Sequence, residues 1–190
     1  MRFQGTLVLV VGPSGAGKDS IIAGAAARLR ERAEFVFVRR AITRPREAGG
    51  ELHIAVSPAE FAKRRAAGSF LLHWRAHGLD YGIAAAVAAD RAAGRTVVAN
   101  VSRAVVAEAR MTLAPVHIVQ IVAPAPVLAA RLARRGRESA TDIQRRMSRD
   151  AAEVPVGADV TAIANDGALE QAVDTFVALL HNVSRHPPSC

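Results

Sequence analysis

Short, continuous apolar runs alternate with longer segments of mixed polarity along this chain. Five of these runs predict β-strands: residues 6–11, 35–39, 96–101, 116–123 and 158–165. A run without polar alternation, such as TLVLVV at residues 6–11, is typical of a parallel strand that helices cover on both faces. The alternation of strands and helices predicts the α/β class with a parallel sheet.

The segments between the strands carry helix signals. Ser57, Pro58 and Glu60 form a capping box, which predicts the start of a helix that ends near Gly68. Residues 70–74 are predicted to be extended, and residues 77–82 to form a turn. The other predicted helices cover about residues 19–32 and 83–93, a segment capped by Ser102, residues 128–136 with an arginine-rich continuation to about 152, and a segment capped by Asp166.

Composition bounds the class of protein. A chain of 190 residues, of which 51% are hydrophobic, predicts one domain with a substantial core. No apolar run approaches the roughly 18 residues needed to span a bilayer, and residues 6–11 are interpreted as a strand rather than part of a signal peptide. The one cysteine, Cys190, excludes an intrachain disulfide bond and fits a reducing, cytoplasmic compartment. We expect no membrane partner.

The formal net charge of +8 comes with two groups of arginines. Seven arginines fall between positions 131 and 149, and Arg39, Arg40, Arg44 and Arg46 fall in one predicted loop. Such groups bind nucleic acids, line a pocket for several phosphate groups, or lie on solvated helix faces. A chain with one Trp and one Tyr has few stacking platforms for single strands, so we expect no nucleic-acid partner.

The stretch GPSGAGKDS follows the first predicted strand and predicts a phosphate-binding loop. Its glycines allow successive N–H groups to turn inward, and the following helix brings its positive N-terminal end to the same place. Lys18 adds a full positive charge for the outer phosphates of a nucleotide. The residues predicted to hold ATP here are Gly12, Pro13, Ser14, Gly15, Ala16, Gly17, Lys18, Asp19 and Ser20.

Asp19 departs from the loop pattern, which requires Ser or Thr after the lysine. That hydroxyl normally helps to hold the magnesium ion of the nucleotide. A carboxylate is also a hard oxygen ligand that Mg²⁺ accepts, so Asp19 is predicted to lie near the metal. In the alternative, Ser20 supplies the hydroxyl and Asp19 serves as an acid at the helix N-terminus.

From this loop onward, the chain resembles the guanylate kinase family nearly from end to end. The family pattern orders a phosphate loop, T-R-x-P-R, a capped E-F helix, G-x-F-L-E, Y-G, a D-x-D strand end, R-L-x-x-R-G-x-E and N-D. The corresponding segments here are TRPR (43–46), HIAVSPAEF (53–61), GSFLL (68–72), YG (81–82), NVS (100–102), RLARRGRE (131–138) and ND (165–166).

The resemblance implies the three-layer α/β fold of the P-loop nucleoside monophosphate kinases, with a five-stranded, mostly parallel sheet and a helical lid. It also implies a single domain over residues 1–185, with the phosphate loop at 12–20, an acceptor-binding region at about 40–82 and a lid at about 131–150. Residues 186–190 are predicted to be a disordered tail. A monomer and a homodimer both remain open.

The carboxylates that read guanine in the family are lost. They are the glutamate of F-L-E and one acid of the D-x-D strand end. The first position is Leu72 here, and the strand end is Asn100 and Ser102. A guanine in this pocket would leave its N–H donors unpaired, at a cost of about 1–3 kcal/mol each. We therefore expect a phosphorylated acceptor without a purine.

The part of the acceptor site that grips phosphate is kept. Arg44 and Tyr81 match the family's T-R arginine and Y-G tyrosine, and Arg46 matches the next arginine. Arg40 replaces a family serine, and His53 replaces a tyrosine, either as a substrate contact or as a structural substitution. The residues predicted to bind the acceptor are Arg40, Arg44, Arg46, His53, Tyr81, Asn100, Ser102 and Arg103.

GKDS, HIA (53–55) and N-x-S-R (100–103) together resemble the ribose 1,5-bisphosphate phosphokinases, guanylate-kinase-like enzymes of bacterial phosphonate use. The resemblance implies ATP-dependent phosphorylation of ribose 1,5-bisphosphate, a small phosphorylated sugar, to 5-phosphoribosyl 1-diphosphate. Two alternatives stay open: a nucleoside monophosphate kinase of the guanylate kinase type, and a guanylate-kinase-like interaction module without activity. Gly12, Gly17 and Lys18 argue against the module, which needs no phosphate loop.

Phosphoryl transfer to an ionised phosphate oxygen needs no general base, so the predicted catalytic groups are positive charges. They are Lys18, Arg44, Arg135 and Arg146, of which the last two match the family's lid arginines. Arg131 is predicted to lie toward the adenine, and Asn165 matches a residue near it. His73, Trp74 and His117 fall in predicted strands and are interpreted as core residues.

Overall fold

The computed structural model describes residues 4–48, 51–134 and 154–185. The strands in these ranges are β1 (Leu7–Val11), β2 (Phe35–Phe37), β3 (Ala41–Ile42), β4 (Ile54–Ala55), β5 (Phe70–Ala76), β6 (Leu79–Ala84), β7 (Thr96–Asn100), β8 (Val116–Val122) and β9 (Val160–Ala164). The helices are α1 (Lys18–Arg28), α2 (Pro58–Ala66), α3 (Val87–Ala92), α4 (Val106–Thr112), α5 (Ala125–Arg134) and α6 (Leu169–Arg185). None of them is long and apolar enough to cross a membrane.

The central sheet has five parallel strands in the order β2-β7-β1-β8-β9. This confirms the predicted α/β fold with a five-stranded sheet, although each strand is somewhat shorter than the apolar run that predicted it. In the register of β1 and β7, Val10 pairs with Asn100. Because these two strands are parallel neighbours, the loop after β1 and the residues at the end of β7 lie at the same edge of the sheet.

Apolar cores form on both faces of the central sheet, as the uninterrupted apolar runs predicted. The odd-numbered residues of β1 pack with α3, α4 and the hairpin of β5 and β6. The even-numbered residues, Val8 and Val10, pack with α1 and α6 through side chains such as Ile21 and Phe176. All five residues of β1 are fully buried, so the phosphate loop begins at the end of a firmly packed strand.

A second sheet of four strands, in the order β4-β3-β6-β5, stands beside the central one. The predicted turn over residues 77–82 is confirmed only at residues 77 and 78. The prediction of a helix from Ile83 was wrong, since residues 79–84 form β6 and α3 begins at Val87. β6 pairs antiparallel with β5, and the ring of Phe70 lies over Gly82 where any side chain would collide with it. This hairpin pairing overrides the helix propensity of the alanines at the end of β6 and after it.

The structure also tests the predicted starts of two helices. Ser57 Oγ accepts a hydrogen bond from the backbone N–H of Glu60, as the capping box requires, but the Glu60 carboxylate accepts from Arg64 instead of reaching back. The last helix begins at Leu169, three residues after the predicted cap. The predicted lid arginines Arg135 and Arg146, most of the predicted lid and the predicted tail at 186–190 lie outside the described residues.

Candidate active site

The phosphate loop, residues 12–20, joins the end of β1 to the first turn of α1. Gly12 and Gly17 have φ angles of 145° and 90°, in the region that favours glycine. A side chain at position 12 would collide with the carbonyl oxygen of Ile121, and one at position 17 with the side-chain amide of Asn165. Only glycine fits both places, and the resulting turn ends at the N-terminus of a helix, where anions bind.

Lys18 is the first residue of α1 and reaches back over the loop. Its Nζ donates hydrogen bonds to the carbonyl oxygens of Gly12, over 2.7 Å, and Pro13, over 2.9 Å. The ammonium group therefore lies beside the backbone N–H groups and the positive helix end that also favour anions. The three features together can hold a polyphosphate chain.

Two cavities meet at this loop. The first has a volume of about 210 Å³ and is lined by the loop, the hairpin of β5 and β6, and the end of β7. The second has a volume of about 320 Å³ and is lined by the loop, the end of α5 and the residues before and at the start of α6. Gly15, Gly17 and Ser20 line both cavities. Two ligands in separate cavities would thus meet at the phosphate loop.

Most of the predicted acceptor-binding residues line the first cavity: Arg40, Tyr81, Asn100, Ser102 and Arg103. Arg44 and His53 do not line it but contact each other, with His53 Nδ1 3.3 Å from Arg44 Nη2 and His53 Nε2 3.1 Å from the Arg44 carbonyl oxygen. The His53 side chain is buried in these contacts, which favours the structural alternative for this residue. Arg46 is exposed and lines neither cavity.

Arg40 is fixed from two directions. Its guanidinium group donates to the carboxylate of Glu51, from Nε to Oε2 over 2.9 Å and from Nη2 to Oε1. Its Cζ lies 5.2 Å from the ring centre of Tyr81, which is the distance of a cation–π contact. Tyr81 in turn stacks on Trp74, with ring centres 5.4 Å apart and planes at 4°. A nearly buried cation is thus held at the wall of the first cavity.

Asp19 faces the end of β7. Its Oδ1 accepts a hydrogen bond of 2.6 Å from Asn100 Nδ2 and lies 3.9 Å from Arg40 Nη2. Asn100 is 6% exposed, and its Oδ1 has no hydrogen-bond partner in the described part of the chain. The structure therefore brings together the two positions at which the loop pattern and the strand-end pattern are broken.

The positions that would read guanine cannot do so. Leu72 is 1% exposed and belongs to the apolar cluster that includes Ile42 and Ile83. Ser102 accepts a hydrogen bond from the N–H of Ala104 and caps the short 3-10 helix at Arg103–Val105. Neither residue offers a carboxylate to the N–H groups of a base, so the first cavity lacks the purine recognition that these positions supply in the family.

The second cavity contains Arg131 and Asn165, the two residues predicted to lie near the adenine, together with Arg134 and Leu169. Asn165 Nδ2 donates to the carbonyl oxygen of Ala16 over 2.7 Å and so supports the phosphate loop from behind. Among the described residues, Asn165 Oδ1 and Arg131 Nη1 are buried without a hydrogen-bond partner. One acceptor and one donor left in a cavity fit a nucleotide, whose base and phosphates carry both kinds of group.

The family model for guanylate kinase matches residues 4–182. The chain belongs to the guanylate kinase family. Its structure agrees with that membership, because a guanylate kinase from Anaplasma phagocytophilum superposes with a TM-score of 0.70 over 96% of this chain and 88% of that chain. At 16% identity, this likeness concerns the fold alone.

The sequence is 47% identical over 174 residues to ribose 1,5-bisphosphate phosphokinase PhnN of Agrobacterium fabrum. That alignment covers 92% of this chain and 95% of the relative. A bifunctional ribose 1,5-bisphosphokinase-thymidine phosphorylase of Azorhizobium caulinodans is also 47% identical, but this chain spans only 26% of its length. The similarity confirms the resemblance to the ribose 1,5-bisphosphate phosphokinases that the sequence motifs indicated.

Sequence reasoning missed two residues of the site in this guanylate kinase family member. Glu51 was not singled out, although an acid in a loop of arginines signals a charge pair. Trp74 was interpreted as a core residue; it is 8% exposed, yet it also lines the first cavity. His73, interpreted in the same way, is exposed instead. Strand alternation could have separated these two neighbours, because successive side chains of a strand point to opposite faces.

Proposed function

We propose that this protein transfers the γ-phosphoryl group of ATP to the 1-phosphate of ribose 1,5-bisphosphate, forming 5-phosphoribosyl 1-diphosphate and ADP. The observation that carries the proposal is the first cavity, which presents Arg40 to an anionic acceptor while the guanine-reading position is the buried Leu72. The similarity over nearly the whole length of the Agrobacterium relative supports this acceptor. The acceptor phosphate is the one on carbon 1, because the product carries its diphosphate there.

In this proposal the first cavity receives the sugar phosphate and the second receives ATP. Arg131 and Asn165 contact the nucleotide through the buried atoms that lack other partners among the described residues. Asp19 would supply the oxygen ligand for Mg²⁺ beside the loop, and in the alternative the hydroxyl of Ser20 would do so. When bound, Mg²⁺ neutralises negative charge on the phosphate oxygens of the nucleotide.

The chemical step moves no proton. An ionised oxygen of the 1-phosphate forms a bond to the γ-phosphorus, while the bond from that phosphorus to the bridging oxygen breaks and its electron pair leaves with ADP. The positive charge of Lys18 at the loop stabilises the transferring group. Arg44 lines neither cavity, but its buried Nε has no partner in the described part of the chain, and we propose it as a second positive charge for this step. We also propose that Arg135 and Arg146 belong to a lid, about residues 131–150, within a single domain spanning residues 1–185.

Incubation with ATP, Mg²⁺ and ribose 1,5-bisphosphate, followed by phosphorus NMR, tests the proposal. We expect a new diphosphate signal, no comparable turnover of GMP, and loss of the signal in the Lys18→Ala variant. The Lys63→Ala variant, which removes an exposed lysine of α2, is the matched control and should retain activity. Preferential turnover of GMP would identify a nucleoside monophosphate kinase, and failure to bind ATP in calorimetry would identify an interaction module.

A further inference from the structure

Two departures from the family pattern, 81 residues apart in sequence, form one hydrogen bond in the structure. Asp19 stands where the phosphate loop requires a hydroxyl, and Asn100 stands where the strand end carries an acid. Asn100 Nδ2 donates to Asp19 Oδ1 over 2.6 Å. In the family pattern the strand end carries the acid and the loop carries the hydroxyl. Here Asp19 of the loop is the acid and Asn100 of the strand end is neutral, so the pair still has one carboxylate.

The contact follows from the sheet. β1 and β7 are parallel neighbours, and Val10 pairs with Asn100 just before the chain turns into the phosphate loop. In phosphate-loop enzymes, Mg²⁺ is held by the loop hydroxyl together with an aspartate from another part of the chain. Here the residue after Lys18 is the carboxylate, and the residue at the end of β7 is the neutral amide.

We propose that the carboxylate of the magnesium site has been exchanged between the two elements, so that Asp19 supplies the acid and Asn100 positions it. Asn100 is suited to positioning because it is nearly buried and donates its amide N–H to one oxygen of Asp19. That hydrogen bond engages Oδ1, and the Asp19 side chain stays about half exposed, so its second oxygen, Oδ2, would bind the cation. This inference rests on the proposed use of a magnesium nucleotide but is independent of the identity of the acceptor.

Reciprocal substitution tests the exchange. The Asp19→Ser variant matches the family pattern at position 19 and removes the carboxylate, and the double variant D19S/N100D restores the family pattern at both positions. The control is D19S/N182D, because Asn182 is exposed on α6 and the substitution adds the same charge far from the loop. Calorimetric titration with ADP, with Mg²⁺ and with EDTA, gives the factor by which magnesium strengthens ADP binding.

We expect Asp19→Ser to lower this factor at least tenfold without changing ADP affinity in EDTA. D19S/N100D should return to within about threefold of the unmodified protein, whereas D19S/N182D should not recover. Equal failure of both double variants overturns the exchange. So does loss of the factor in Ser20→Ala together with its retention in Asp19→Ser, because Ser20 would then hold the metal.

A second measurement covers the case in which the double variant does not fold. The Asn100→Ala variant removes the positioning bond and keeps Asp19; we expect its magnesium factor to fall about threefold and its affinity for ADP in EDTA to stay unchanged. An unchanged factor overturns the positioning by Asn100. Because ADP is the probe, a protein that shows the rescue but does not phosphorylate ribose 1,5-bisphosphate would refute the proposed function and leave the exchange standing.

Discussion

Glu51 holds the guanidinium group of Arg40 through two parallel hydrogen bonds, from Nε to Oε2 over 2.9 Å and from Nη2 to Oε1. Both side chains are largely buried, at 11% and 14% exposure, and the ring of Tyr81 lies against the guanidinium group. A planar guanidinium group held along one edge presents its other edge in a single direction. Glu51 therefore decides how Arg40 faces the first cavity.

We expect Glu51→Gln to raise the KM for the phosphorylated acceptor about tenfold, which corresponds to about 1.4 kcal/mol, because a neutral amide holds the guanidinium group less firmly. The KM for ATP should not change. Glu60→Gln is the control, since Glu60 pairs with Arg64 on an exposed part of α2. Steady-state kinetics with each substrate varied gives both constants. A lower acceptor KM would mean that Glu51 merely neutralises Arg40.

Leu72→Glu should not confer activity on GMP, although it restores the family's residue at that position. Leu72 is 1% exposed among apolar side chains, so a carboxylate there has no compensating partner and should cost about 3–5 kcal/mol of unfolding free energy. His73→Glu, on the exposed side of the same strand, should cost less than 1 kcal/mol, about the size of a typical surface substitution. Urea unfolding and a GMP assay measure the two effects. GMP turnover by a folded Leu72→Glu protein would contradict this prediction, because recognition of guanine would then depend on residue 72 alone.

Asn165→Ala should raise the KM for ATP about tenfold and leave the acceptor KM unchanged. The substitution removes the 2.7 Å hydrogen bond to the carbonyl oxygen of Ala16, which holds the phosphate loop in place beside the second cavity. We expect the loss to weaken ATP binding by about 1–2 kcal/mol. Asn182→Ala, on the exposed face of α6, is the matched control. Equal effects on both substrates would contradict the assignment of the two cavities to different ligands.

Arg91 is a stability residue outside the site. It is 1% exposed and donates to the carbonyl oxygens of Gly5, Leu113 and Pro115, which lie at the start of the chain and between α4 and β8. Arg91→Met keeps most of the volume but loses all three bonds, so the unfolding free energy should fall by about 3 kcal/mol, with kcat unchanged. Arg95→Met removes only a half-exposed pair with Asp90 and should cost less than about 1 kcal/mol. Urea unfolding of the two variants gives the comparison.

His117 makes stability depend on pH. Burial lowers its pKa from the ordinary value of 6.5, and Asp159 opposes this shift only in part. Between the lowered pKa and 6.5, the unfolded chain binds more protons than the folded one. The contribution of neutral His117 to the unfolding free energy is therefore complete above pH 6.5 and is lost as the pH falls through that window. His117→Gln can keep the 3.0 Å contact with Thr161 and should weaken the loss. Urea unfolding at about pH 7.5 and 5.5 measures the fall in unfolding free energy between the two pH values. An equal fall for the unmodified protein and the variant would contradict the assignment of this pH dependence to His117.

The local parts of the fold could be predicted from the sequence. β1, the glycine turn and the start of α1 depend on an apolar run, on residues that tolerate positive φ and on a helix following directly, and all of these are local properties. Ser57 caps α2 as predicted because a cap involves residues three positions apart. β6 could not be predicted in the same way, since its strand conformation depends on pairing with β5 and on the ring of Phe70 over Gly82.

The amino-acid sequence by itself determined that this chain has a parallel sheet, a phosphate loop and no carboxylate at the guanine-reading position 72, because each follows from residue types at short, fixed spacing. Only the tertiary structure decided that Arg40 donates hydrogen bonds to Glu51 and that Asn100 donates one to Asp19. Those pairs form across separate elements, and their distances are set by how strands and loops pack. No spacing along the chain encodes such a distance.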